Sequence, residues 1–221
     1  MTRLTRVKIC GITTKEDAWT AIDLGADALG FLVGLLYESE DELAASEAGK
    51  IVEGLPPFVS TTLVTHRANL TEVTDLCAQV RPQVVQLHGP YPLDQIPPLR
   101  EAFPTLKIIK AVHVAGEGES EIAVAVAASR HADAILLDTK TATRIGGTGV
   151  THDWSVSRRI RDAVAPTPTI LAGGLTPANV ARAIEQVTPY AVDVNSGVSV
   201  RRGKKSPQLV EQFVLAAKPS R

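Results

Sequence analysis

Apolar residues in this chain fall into short dense runs, separated by longer stretches in which they recur every three or four positions. Eight runs stand out: Val7–Cys10, Ala28–Val33, Val59–Val64, Val84–Leu87, Lys107–Val112, Ala134–Leu137, Thr169–Ala172 and Ala191–Val194. Runs such as "AILL" and "TILA" are apolar at nearly every residue, which predicts parallel strands buried on both faces. The stretches between them predict helices. "TKEDAWTAIDLGA" sets Ala18, Ile22 and Gly25 at helical spacing behind an N-cap at Thr14. "TPANVARAIEQV" starts with a cap at Thr176 and Pro177 in the first turn, and "SPQLVEQFVLAA" repeats that entry at Ser206 and Pro207. No composition break or low-complexity linker divides the 221 residues. Eight strand–helix units in that length predict an α/β fold, a single-domain (β/α)8 TIM barrel over residues 1–221. A doubly wound open sheet is the alternative, but such sheets usually have about five or six strands.

Composition narrows the function classes. Apolar residues make up 44% and charged residues 21%, an ordinary globular balance, and the formal net charge of −1 points to no nucleic-acid or membrane partner. Cys10 and Cys77 form no CxxC or Cys/His cluster, so no zinc site is expected and both read as reduced thiols of a cytoplasmic protein. No run of about 18 apolar residues predicts a membrane span, and no apolar stretch near the N-terminus predicts a signal peptide. The expected partner is a small molecule, and the chain is expected to be a monomer or a homodimer.

In a barrel of this kind the chemistry gathers at the C-terminal ends of the strands. Here those ends carry Cys10-Gly11, then Gln86 and His88, then His113, Asp138, the glycine-rich "RIGGTGVTHDW", Gly173-Gly174, and "VDVNSGV". Paired glycines ahead of a helix at Thr176-Pro177 leave backbone N–H groups free, a phosphate-binding arrangement, and "NSGV" offers a second set. Cys77 lies inside a helical pattern and reads as a small core residue. Cys10 and Asp138, on the first and sixth strands, face each other across the barrel mouth as a base and an acid. Burial at the edge of "AILL" is expected to raise the Asp138 pKa. His88 and His113 are further acid–base candidates or hydrogen-bonded structural residues, and Lys8 is expected to point inward with a charge to satisfy.

The ordered set "VKICGIT", "ALGF", "VVQLHG", "LLDT", "GGTGVTHDW", "LAGGLTPANVARAI", "DVNSGV" and "GKKSPQLVEQF" resembles the phosphoribosylanthranilate isomerase family of tryptophan biosynthesis, across nearly the whole chain. The resemblance implies an Amadori rearrangement of a phosphoribosyl aryl amine with no cofactor or metal. It makes Cys10 the general base and Asp138 the general acid. It places phosphate on the backbone at Gly173, Gly174, Ser196 and Gly197, and closes the "GGTG" loop, with Gly147 and Gly149, over the substrate. Lys8, Gln86, His88 and Asp193 complete the expected binding set.

One region departs from the family. After the second strand the family usually has an "F…SPR" stretch whose arginine holds the anthranilate carboxylate. This chain reads "GFLVGLLYESEDELAASEAGKI", with Glu38, Glu40, Asp41 and Glu42 and no arginine from Gly30 to Lys50. The acidic run reads as a solvated face or a lid. The third strand's "VSTTLVTH", Asn195 in place of a common Ser, and Ser199 in place of a common Glu depart as well. Three readings stay open: the ordinary isomerase, with Arg67 or Arg144 replacing the missing cation; the same chemistry on a different phosphoribosyl amine; and a non-catalytic relative that binds a phosphorylated ligand.

Overall fold

The structure is a computed structural model that describes residues 4–116, 118–139, 151–201 and 203–218. Eight strands run β1 (Arg6–Ile9), β2 (Ala28–Leu32), β3 (Ser60–Thr65), β4 (Val84–Leu87), β5 (Lys107–Val114), β6 (Ala134–Thr139), β7 (Thr169–Leu171) and β8 (Ala191–Val194). Each falls within two residues of the apolar run that predicted it. The helices between and after them are α1 (Lys15–Asp23), α2 (Ala45–Glu53), α3 (Leu70–Val80), α4 (Ile96–Ala102), α5 (Glu119–Ser129), α6 (Trp154–Val164), α7 (Val180–Val187) and α8 (Pro207–Ala217). All neighbouring strands pair in parallel, and β8 returns to β1 to close the barrel, with Lys8 opposite Asp193.

The dense apolar runs are explained by two burial environments. Ile9, Leu29, Leu63, Val85, Ile108, Ile135, Leu171 and Val192 point outward into the main core beneath the helices. Ile109, Ala111, Leu136, Ile170 and Ala191 fill the lower barrel interior. Above them the interior changes character. Cys10, Leu32 and Val64 form a small apolar cluster that faces the mouth.

Local signals hold the helices. Thr14 accepts from the Asp17 N–H and Ser206 from the Leu209 N–H, so both predicted caps are present. The predicted cap at Thr176 is not. Helix α7 begins at Val180, behind Asn179, whose Oδ1 accepts the Thr176 N–H at 2.8 Å while its Nδ2 donates to Gly174 O at 2.9 Å. Both residues have cap chemistry, and the Asn side chain bonds back into the loop. The glycine pair is therefore followed by a turn, and the helix starts several residues later.

After β8 the chain forms a 3₁₀ turn (Ser196–Val198) and a short antiparallel hairpin, β9 (Ser199–Arg201) with β10 (Lys204–Lys205). This hairpin meets the acidic segment that follows β2. Asp41, expected in a solvated face, is buried: it accepts from Asn195 Nδ2 at 3.0 Å and from the Gly203 N–H. Glu42 also turns inward and accepts from the Leu35 N–H at 2.9 Å. Only Glu38 and Glu40 of that run are exposed.

Candidate active site

A cavity of about 360 Å³ opens at the C-terminal ends of the strands. Of the residues singled out in the sequence, Cys10, Gln86, His88, Asp138, Gly173, Gly174, Asp193, Ser196 and Gly197 all line it. Gly147, Gly149 and Arg144 lie outside the described residues. Lys8 is buried below the cavity and forms a 2.8 Å ion pair with Asp193. Burial disfavours its charge, but Asp193 and Cys10 together outweigh burial and hold the Lys8 pKa above its usual value.

Cys10 sits one residue beyond β1, its N–H bonded to Val194 O at 2.8 Å. Two glycines shape its surroundings. Gly11 turns at φ +70, and a Cβ there would meet Asn195 Oδ1 at 2.5 Å. A Cβ on Gly30 would lie 2.6 Å from the Cys10 sulfur. Burial pushes the thiol pKa up; Lys8 and Lys205 pull it down without overcoming burial. In the free protein, then, the thiol is not pre-ionised.

Asp138 ends β6. Its Oδ1 accepts the Thr139 N–H at 2.7 Å, and its Oδ2 lies 3.3 Å from His88 Nε2. Burial favours the neutral acid, as the sequence suggested. The bond from His88, the charges of His88 and His113, and the Thr139 N–H together outweigh it, so the pKa is lowered. The expectation of a raised pKa is corrected: donors that lie far apart in sequence decide the sign. Gln86 Nε2 lies 3.0 Å from His88 Nδ1. With the amide donating there, His88 carries its proton on Nε2, facing Asp138.

His113 does not line the cavity. It supports His88 from behind, through His113 Nε2 and His88 O at 2.9 Å and an edge contact between the rings at 4.9 Å. Burial, then the neighbouring His88, lowers its pKa to about 4. Nitrogens of His88 and His113 and an oxygen of Asp138 lie within 4.8 Å of one another, the one set of potential metal ligands among the described residues. Three participants were not foreseen. His66 lines the cavity at the end of β3. His152 links Thr139 Oγ1, at 2.9 Å, to Ser157. Asp41 joins the loops after β2 and β8. The "VTH" and "VTHDW" stretches held the signal for the two histidines: His66 directly follows β3, and His152 shortly precedes α6.

Backbone dominates the other end of the cavity. Gly173 and Gly174 both have positive φ, +84 and +66. A Cβ on Gly173 would lie 2.2 Å from Thr139 Oγ1, and one on Gly197 would lie 2.0 Å from Leu175 O. Among the described residues the N–H groups of Gly173, Gly174, Ser196 and Gly197 donate to no backbone carbonyl. They suit an anion with several oxygens. Across the barrel, Leu32, Leu35, Tyr37, Val64 and His66 form a largely apolar wall. Arg67 lies outside the cavity, against Gly34, with its Nη1 3.4 Å from Glu72.

Comparison with known proteins agrees with this layout. A family model described as N-(5'phosphoribosyl)anthranilate (PRA) isomerase matches residues 7–216. The N-(5'-phosphoribosyl)anthranilate isomerase of Methanocella arvoryzae is 48% identical over 211 residues, covering 96% of this chain and 97% of its own. Monomers of the dimeric phosphoribosylanthranilate isomerase of Thermotoga maritima superpose with a TM-score of 0.81 at 34% identity, covering 96% and 98% of the two chains. A phosphoribosyl anthranilate isomerase in complex with reduced 1-(o-carboxyphenylamino)-1-deoxyribulose 5-phosphate gives 0.80 at 34% identity, with the same coverage. A closed eight-stranded barrel with these strand ends, matched along nearly its full length, makes this chain a member of the phosphoribosylanthranilate isomerase family.

Proposed function

We propose that the chain catalyses the Amadori rearrangement of N-(5-phosphoribosyl)anthranilate to 1-(o-carboxyphenylamino)-1-deoxyribulose 5-phosphate. The observation that carries this reading is one cavity lined by Cys10 from β1, Asp138 from β6 and free backbone donors after β7 and β8. The phosphate sits on the Gly173–Gly174 and Ser196–Gly197 amides. The ribose then spans the space between Cys10 and Asp138, and the aryl ring reaches the apolar wall.

The reaction needs one proton delivered and one removed. A proton goes to the ring oxygen as the C1–O bond breaks and the amine lone pair forms C=N. The C2 proton then leaves to a base, giving an enolamine that tautomerises to the ketone. Because Asp138 is held ionised in the free protein, the acid is the His88–Asp138 pair carrying one added proton. Loading that proton makes His88 Nδ1 a donor. Gln86 Oε1, buried with no partner among the described residues, meets it once the amide turns over. The base is Cys10. A cationic Schiff base beside its sulfur acts in the same direction as Lys8 and Lys205, favouring the thiolate as the C2 proton becomes acidic.

The test is loss of phosphoribosylanthranilate fluorescence, with the substrate generated in situ. A kcat/KM of about 10⁴ M⁻¹s⁻¹ or more supports the reading, and absence of turnover rejects it. The same chemistry on a different phosphoribosyl amine is the second reading, favoured by the lack of arginine between Gly30 and Lys50. Among the described residues no helix is long and apolar enough to cross a membrane. We place the activity in tryptophan biosynthesis in the cytoplasm, to be checked by cell fractionation. A homodimer is the assembly that the Thermotoga maritima relative supports, to be checked by sedimentation.

A further inference from the structure

The apolar end of the cavity contains one polar side chain whose direction is fixed by the fold. The phosphate cradle lies after β7 and β8, and the strands opposite them in the closed barrel are β3 and β4. An aryl group extending from a ribose held at Cys10 and Asp138 therefore meets Leu32, Leu35 and Val64, and beside them His66. The His66 ring is held on two sides. It stacks on His88 at 5.3 Å and 28°, and Tyr37 meets it edge-on at 6.1 Å. Its Nδ1 lies 3.1 Å from the Leu36 backbone nitrogen. A backbone N–H only donates, so Nδ1 holds a lone pair and the neutral ring carries its proton on Nε2. Among the described residues Nε2 has no hydrogen-bond partner. Nor is it one of the buried side-chain atoms sealed off without one, so it keeps solvent access on a ring that lines the cavity.

We propose that His66 Nε2–H binds a carboxylate carried by the aryl ring of the substrate, in the role that the family pattern gives to an arginine after the second strand. This subsite rests on the isomerase reading for the identity of the aryl amine. Among the described residues, Arg67 and Arg201 fit less well. Arg67 is turned outward beside Glu72. Arg201 lines the cavity from the β9 hairpin, which follows β8 on the cradle side. Burial, then His88 and His113, lowers the His66 pKa to about 4, so the empty site presents a neutral donor. Because the Leu36 N–H occupies Nδ1, the ring meets the carboxylate as a neutral Nε2–H donor.

The test compares two stable ligands by calorimetry: reduced 1-(o-carboxyphenylamino)-1-deoxyribulose 5-phosphate and the phenylamino counterpart without the carboxyl. A hydrogen bond to a charged group gives the wild-type protein a preference of about 10- to 100-fold for the carboxylated ligand. In His66→Phe that ratio falls to within about 3-fold of unity, the change coming from the carboxylated ligand. In His66→Gln, whose amide can still donate, part of the ratio remains. Arg201→Ala keeps the full ratio. A wild-type ratio near unity, a ratio that survives in His66→Phe, or one lost in Arg201→Ala overturns the proposal. Turnover is read separately. A protein that shows the His66-dependent ratio but converts no phosphoribosylanthranilate loses the isomerase reading and keeps the carboxylate subsite.

Discussion

At the β7–β8 end the cavity wall is backbone; at the β2–β4 end it is side chains. The first end offers amides whose direction is set by Gly173 and Gly174 at positive φ and by Gly197 pressed against Leu175 O. Its chemistry changes only if the main chain moves. The second end presents Leu35, Tyr37 and His66 on a strand end and a loop, where one substitution replaces the contact. On the proposed reading, the phosphate common to every candidate substrate falls to the rigid end. The group that distinguishes one amine from another is met by the adjustable end. Cys10 and Asp138 lie between the two and belong to neither.

That division makes the largest prediction one about rate. Cys10→Ala and Asp138→Asn each remove one of the proposed proton-transfer groups, so kcat is expected to fall by about 10²- to 10⁴-fold. Affinity for the reduced product analogue, held at the two ends, changes far less. A loss that appears in KM with kcat unchanged would remove both residues from the chemistry. The next largest concerns the backbone end. In Gly173→Ala the new Cβ would lie 2.2 Å from Thr139 Oγ1 at φ +84, so the loop must move. Losing one or two hydrogen bonds to a charged phosphate raises KM by about 10- to 100-fold, equally for carboxylated and carboxyl-free substrates. Unequal loss would show that the two ends are not independent.

Strands were legible because parallel strands buried on both faces leave few polar positions, and the same contrast exposed Cys10, Gln86 and Asp138 at the strand ends. The glycines at 173, 174 and 197 were legible because tight backbone contacts tolerate no side chain. The acidic run after β2 misled. A carboxylate whose partners are Asn195 and Gly203 has the same local sequence pattern as a solvated one. His66 was hidden for a similar reason: its tautomer depends on the Leu36 N–H, a contact between the segments that follow β2 and β3. The directions at Asp138 and Cys10 also needed the fold, since burial and neighbouring charges oppose each other at both.

Acid sharpens the contrast between the ends, because His66 belongs to one of them and His113 packs behind His88 beside it. In the fold His66 and His113 have pKa values lowered to about 4. The unfolded chain binds these protons near pH 6.5, and the folded chain only near 4. Stability from these two groups is therefore full above about pH 6.5 and is lost as pH falls towards 4. Tm is expected to drop over that window, and His66→Phe is expected to make the drop shallower. An unchanged drop would assign the acid sensitivity to other groups.

The smallest expected effect tests whether the departures after β2 and β8 form one compensated change. Lys205 is buried, with Nζ 2.6 Å from Asn195 Oδ1 and 3.1 Å from Ser199 Oγ, and forms no ion pair among the described residues. Burial lowers its pKa, and Asp41 gives the strongest pull the other way, reaching it through Asn195. The acidic loop thus supplies, from a distance, the negative charge that a Glu at position 199 would place directly on the lysine. Asp41→Ala leaves Asn195 Nδ2 and the Gly203 N–H without their acceptor, at a stability loss of about 1–3 kcal/mol. For a chain of this size that lowers Tm by roughly 2–4 °C per kcal/mol. Ser199→Glu is expected to change Tm little in the wild-type background and to restore at least half of the loss in the Asp41→Ala background, as coupled neighbours should. Equal effects in both backgrounds would mean that the acidic segment and the β8 hairpin vary separately. The loop after β2 would then have lost its arginine without gaining the structural role that Asp41 now fills.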